Sequence, residues 1–248
     1  MRRITAALAA LLIFAGCASF GGESKSAKLS RSHYMMGNSY FAQNRIQDAF
    51  LEFQKSVAEN PRNKDARNML GQVYAILGEY DKAVSSYREA LDIDPDFADA
   101  HHNLAMTFVM TGRLDEAIAE CEKVLEDPLY EVPETALNTM GYAQMMKGEN
   151  EQAIDLFKKA LLRRPIPQAS YNLALAYERT GRNDDAEREL ARLVERHPGY
   201  AEAHFALARL CLKRGDTPKA RQHFHETMNL APDSEMGASA RKELERLR

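Results

Sequence analysis

From Ser30 onward the apolar positions follow a helical spacing, and the same marks return every thirty-odd residues. Small residues recur at Ala49, Ala83, Ala117, Ala153, Ala186 and Ala220, at intervals of 34, 34, 36, 33 and 34. Within one unit, Leu70, Tyr74 and Leu77 fall on one face before Gly78. Ala83, Tyr87, Ala90 and Leu91 then form a second face before Pro95, with Asp81 as the expected N-cap. Glycine marks the mid-unit turn at Gly78, Gly112, Gly148, Gly181 and Gly215. Asn44 takes that slot in the first unit, as the next most tolerant residue of a left-handed conformation. Pro61, Pro95, Pro165, Pro198 and Pro232 close most units, and Thr217-Pro218 reads as a cap followed by proline at the first helical position. Each unit therefore predicts two antiparallel helices of about a dozen residues, too short to be stable alone, so neighbouring pairs must stack. After Pro232, Asp233-Ser234 can cap a last helix with Met236, Ala240, Leu244 and Leu247 on one stripe and charge on the other face, as the end of a stack requires.

The segment before the repeats has a different pattern. Met1-Arg2-Arg3 precedes a run from Ile4 to Ala15 that is apolar except for Thr5. That order matches a secretory signal over residues 1–16. As a helix the run would be about 18 Å long, short of a hydrocarbon core of about 30 Å. Ile13-Phe14-Ala15-Gly16-Cys17 resembles the lipobox of bacterial lipoproteins, with Phe14 in place of the usual Leu. The resemblance implies that Cys17 is lipidated and becomes the first mature residue. Ala18 and Ser19, with no retention Asp, imply sorting to the outer membrane. Acyl chains contribute about 0.8 kcal/mol per buried CH₂, so several chains on one residue anchor stably. Residues 17–29, rich in Gly, Ser, Lys and Ala, are expected to be a flexible tether reaching about 40 Å at most.

Composition narrows the function. The 248 residues carry 33 Lys and Arg against 36 Asp and Glu, a net charge of −3. That balance argues against nucleic acid, whose binding needs a basic face. Three cysteines are too few for a disulfide scaffold; Cys121 and Cys211 sit in core slots and are expected as free, buried thiols. His33, His101 and His204 share one early slot of the first helix, where packing explains them better than metal binding. His223 and His225, two residues apart on a helix, do not share a face. The glycines are singletons at turns, not a phosphate loop. No nucleophile, His and acid fall together in a way the repeat leaves unexplained. No enzyme activity, metal, cofactor or small-molecule substrate is expected.

The slots now resemble a known family, the tetratricopeptide repeat (TPR). Its small-residue slots read Gly37, Gly71, Ala105, Gly141, Ala174 and Ala208. Its first-helix aromatic slot reads Tyr40, Tyr74, Phe108, Gln144, Tyr177 and Cys211, and its second-helix slot Phe53, Tyr87, Cys121, Phe157, Leu190 and Phe224. The resemblance implies an all-α fold: a right-handed TPR superhelix of six helix-turn-helix repeats over residues 30–232, plus a capping helix over 233–248. It also implies a concave partner-binding face. Carried over slot by slot, that face holds Tyr34, Asn68, His102, Asn138, Tyr171 and Phe205. The next row is Asn38, Gln72, Met106, Tyr142, Leu175 and Arg209. A third begins Phe41, Ala75, Val109 and Met145. The first three units offer no Lys and one peripheral Arg, Arg31, so a clamp for a C-terminal carboxylate is not expected. Aromatic, Met and amide side chains suit a peptide held by apolar contacts and amide hydrogen bonds. The alternative is a tightly wound superhelix in which these side chains pack on one another.

One place breaks the rhythm. The 36-residue interval contains Asp127-Pro128-Leu129-Tyr130-Glu131-Val132-Pro133. Leu129 and Tyr130 are either tucked onto the next helix or form an exposed docking loop. A lipobox, six repeats, this stretch after the third and the overall length resemble the type IV pilus pilotin family, of the PilF, PilW and Tgl types. That resemblance implies a lipid-anchored protein on the periplasmic face of the outer membrane. Such a protein would bind secretin subunits and promote their insertion and assembly. Two rival readings need the same parts: a scaffold of another envelope assembly, such as exopolysaccharide export or outer-membrane protein insertion, or a periplasmic protease adaptor. The bound segment is expected near Tyr34, Asn38 and Phe41, closest to the anchor.

Overall fold

The computed structural model describes residues 24–247. The expected signal sequence and Cys17 lie outside the described residues. Among the described residues there are thirteen α-helices and no strand. They form six antiparallel pairs: α1 (Lys25–Ala42) with α2 (Ile46–Glu59), α3 (Lys64–Ile76) with α4 (Tyr80–Ile93), and α5 (Ala98–Met110) with α6 (Leu114–Glu126). Then come α7 (Pro133–Lys147) with α8 (Asn150–Arg163), α9 (Pro167–Arg179) with α10 (Asn183–Arg196), and α11 (Ala201–Lys213) with α12 (Thr217–Leu230). A last helix, α13 (Glu235–Arg246), covers the end of the stack. This is an all-α TPR superhelix. None of these helices is long and apolar enough to cross a membrane.

The recurring residues explain the pairing. The six recurring alanines of the second helices are fully buried. Twelve residues before each stands the helix-one slot, and its small residue faces the second-helix slot sixteen residues on. A Cβ at Gly141 would stand 2.7 Å from Phe157, and Gly37 and Gly71 meet Phe53 and Tyr87 in the same way. Where the second-helix residue shrinks to Cys121 or Leu190, the first-helix slot grows to Ala105 or Ala174. Burying rings such as Phe157 contributes the bulk of the stability, since apolar burial yields about 25 cal/mol per Å².

At the mid-repeat turn one residue is left-handed: Asn44 (φ 57°) in the first repeat and Gly in the other five, for example Gly148 (φ 90°). In the second repeat the Glu79 N–H donates to Tyr74 O at 2.9 Å and the Gly78 N–H to Ala75 O at 3.1 Å. This satisfies carbonyls that the helix end leaves open. Past the turn, an arginine covers the first-helix ring in alternate repeats: Arg45 over Tyr40, Arg113 over Phe108 and Arg182 over Tyr177, at 4.3, 4.1 and 4.4 Å.

Three local expectations need correction. Residues 25–29, assigned to the tether, are the first turns of α1, whose N-cap Ser24 accepts from the Ala27 N–H. Ser30 explains why the helix runs through this point: its Oγ donates to Ser56 O at 2.8 Å, and the Ser56 Oγ donates to Ser30 O at 2.8 Å, in a buried polar knot. Asp81 lies inside the first turn of α4, favoured there by the helix dipole, and Glu79 is the N-cap. Asp216, not Thr217, caps α12, accepting from the Lys219 N–H at 3.2 Å. Ser234 caps α13 as expected.

Candidate functional site

The first helices of the central repeats touch in succession, α3 on α5, α5 on α7 and α7 on α9, so they form one continuous inner wall. The rows on this wall differ. In the first row Asn68 is buried and its Oδ1 accepts from Asn103 Nδ2 at 3.0 Å. Asn138 does the same for Asn172, also at 3.0 Å. His102 lies 3.3 Å from Thr139 Oγ1, and burial lowers its pKa from the ordinary 6.5. The Tyr171 ring packs on Tyr200 at 5.6 Å, with its phenol pKa raised by burial. Tyr34 packs against Phe53 at 6.1 Å, and Phe41 against the same first-repeat core. Asn38 is half-buried beside them on α1. Much of the first row therefore joins neighbouring helices together.

The second row opens. Gln72 and Met106 line a cavity of 260 Å³ with Ala75 of the third row and with Ile76, Thr107 and Met110. Met106 and Met110 also border a neighbouring cavity of 200 Å³, with Val109, Asn138, Tyr142 and Asn172. The two share a methionine rim and run across α3, α5, α7 and α9. One slot further along the first helices, Ile76, Met110 and Met146 are 56%, 60% and 50% exposed. Flexible thioethers beside amide groups suit an apolar partner segment of adaptable shape. The amides just below, Asn103 and Asn172, are fixed by their own hydrogen bonds and give the floor a defined polarity.

The structure thus brings Gln72, Met106, Asn138 and Tyr142 together around a connected depression. It places Tyr34, Asn38 and Phe41 at the first repeat, away from that depression. Tyr171 is a packing residue of the fifth. Ile76, Met110 and Met146 were missed. Their signal was present, since Ile76 and Met110 stand four residues after Gln72 and Met106 on the same helix face.

The insertion resolves into two roles. Tyr130 packs half-buried among Ala98, Val124 and Ala136, and burial raises its pKa. Leu129 is 85% exposed. Of the histidines, His33 Nδ1 lies 2.6 Å from Glu52 and His204 Nδ1 lies 3.0 Å from His223 Nδ1, each pair joining the two helices of one repeat. His101 makes the equivalent contact with Glu120. Cys121 and Cys211 are buried free thiols, and burial pushes Cys121 up to about 12. Among the described residues no group of three or more His, Cys, Asp or Glu side chains converges as a metal site would.

The repeats match known sequence patterns. Models described as TPR repeat and tetratricopeptide repeat match residues 52–85, 71–112, 138–191 and 171–234. The chain is a tetratricopeptide-repeat protein. Its fold is of the PilF and PilW type. It is similar to the crystal structure of PilW, described as a widely conserved type IV pilus biogenesis factor, with a TM-score of 0.79 and 23% identity. That match covers 86% of this chain and 98% of PilW. It is similar to Pseudomonas aeruginosa PilF, with a TM-score of 0.75 and 20% identity, over 89% of this chain and 100% of PilF. Among curated sequences it is 30% identical over 95 residues to a tetratricopeptide repeat and J domain-containing co-chaperone of Fusarium oxysporum, covering 38% of this chain. It is also 34% identical over 84 residues, 34% of this chain, to a TPR repeat-containing thioredoxin of Arabidopsis thaliana. The aligned segments span only 18% and 12% of those two proteins, so that likeness concerns the repeats.

Proposed function

We propose that this chain is an outer-membrane lipoprotein of type IV pilus biogenesis that binds secretin subunits and promotes their insertion and assembly. The observation that carries the reading is the extent of the likeness: the structural match covers 98% of PilW and 100% of PilF. The Cys17 lipobox supports the anchor, and the methionine-rimmed depression supports recognition of an apolar segment. In this reading the protein is a scaffold and not an enzyme. The acyl chains hold it at the periplasmic face, and the superhelix raises the effective concentration of its partner there. The bound segment lies over the second to fifth repeats rather than at Tyr34, Asn38 and Phe41, because the connected depression is there.

The test compares outer-membrane fractions of wild-type, deletion and Cys17→Ala cells for heat- and detergent-resistant secretin multimers. The reading expects them to be lost or to stay in the inner membrane in both altered strains. Normal multimers in both would reject it. Defects confined to polysaccharide export or to outer-membrane protein insertion would favour the rival scaffold, and direct binding to a periplasmic protease would favour the adaptor.

A further inference from the structure

We infer that the edge of the superhelix carrying the repeat-to-repeat loops is a self-complementary surface through which two copies of this chain pair. On this edge the loop after the third repeat presents a knob. Leu129 stands almost fully exposed, with the exposed carboxylates of Glu126 and Glu131 on either side. The knob is held in place: the Leu129 N–H donates to Asp127 Oδ1 at 2.8 Å, and Tyr130 is packed into the core beneath it. A loop so fixed has little backbone freedom left to lose on binding.

The loop after the fourth repeat presents the matching socket, a cavity of 290 Å³ between that loop and the end of α10. Leu161, Ile166, Pro167 and Leu193 form its apolar lining, and Arg192 and Arg196 stand among its polar residues. Glu189 also lines it and lies 3.9 Å from Arg192. Among the described residues no ion pair is formed by Arg196. Cationic groups around an apolar socket stand out in a chain whose net charge is −3. They complement the acidic residues flanking Leu129.

The topology makes the pairing reciprocal. Both loops join the second helix of one repeat to the first helix of the next, so they share an edge one repeat apart. Leu125 packs in the clusters beneath both of them. A two-fold axis across that edge exchanges the loops, setting each copy's Leu129 over the other's socket in a closed, isologous dimer. The inference does not depend on the pilus reading, and neither knob nor socket is part of the inner-wall depression.

The test uses the full chain as the only copy in cells, with the photoreactive residue p-benzoylphenylalanine in place of Leu129. The expected result is a crosslinked band at twice the monomer mass, joined to a peptide from residues 161–197 of the second copy. Arg196→Glu should reduce that band about tenfold, and adding Glu131→Arg to the same chain should restore it. Both changes are at exposed positions, and unchanged thermal melting of the purified variants checks that they fold. A monomer band alone, a crosslink only to a different protein, or a dimer band indifferent to Arg196→Glu would overturn the inference. Secretin multimers are read separately, so either proposal can fail without the other.

Discussion

Two rows of the same inner wall have opposite fates. In one, Asn68 and Asn138 are bonded to Asn103 and Asn172 and Tyr171 is packed on Tyr200, so these side chains tie neighbouring helices together. In the other, one to two helical turns away, Ile76, Met106, Met110 and Met146 are exposed beside connected cavities. The wall thus divides its work. The amide row sets the spacing between first helices, and the methionine row is free to meet a partner because that spacing is already fixed.

The comparison can be broken most severely from below. Phe157→Ala removes a fully buried ring from the slot against Gly141, and should cost about 3–5 kcal/mol, read as a fall in the thermal or denaturant midpoint. Asn172→Ala comes next. It leaves the Asn138 carbonyl oxygen without its donor, and should cost about 1–3 kcal/mol in the same measurement. By contrast Met106→Asp with Met110→Asp should shift stability by only about 0.5 kcal/mol per exposed site while weakening partner binding. If those two changes destabilised the chain as much as Asn172→Ala does, the division between rows would be wrong.

A smaller effect concerns pH. Burial lowers the pKa of His102, and burial followed by the nearby His204 lowers that of His223, from the ordinary 6.5. A base whose folded pKa is depressed stabilises the fold above its unfolded value and loses that contribution as pH falls through the folded value. The melting temperature should therefore be flat above about pH 7 and decline below about 6.5. His102→Gln should make the decline shallower, whereas an unchanged slope in that variant would show that His102 plays no part in it.

The repeat architecture was legible because each of its marks has a single physical cause. A left-handed turn admits Gly or Asn, a ring in one helix demands a small residue sixteen positions earlier, and a superhelix end demands a one-sided helix. The inner wall was legible as a set of slots, but not as open or closed. Asn68 was aligned with His102, yet its partner is Asn103, one position on, because equivalent slots on successive first helices point the same way, so a side chain of one meets a different slot of the next. Which slot it meets depends on how the second helices pack behind them, which a period in the sequence does not encode. The start of α1 was missed for a related reason. Small polar residues such as Ser24 and Ser26 look like a linker, whereas here Ser24 caps α1 and Ser26 bonds to Glu59 of α2.

The central claim is that the partner is held over the second to fifth repeats. Hydrogen exchange of the full chain, alone and with purified secretin, tests it directly. Exchange is predicted to slow in peptides covering residues 72–79, 106–113 and 142–149, and to stay unchanged around Tyr34 to Phe41. Protection confined to the first repeat, or none in the three central segments, would contradict the account.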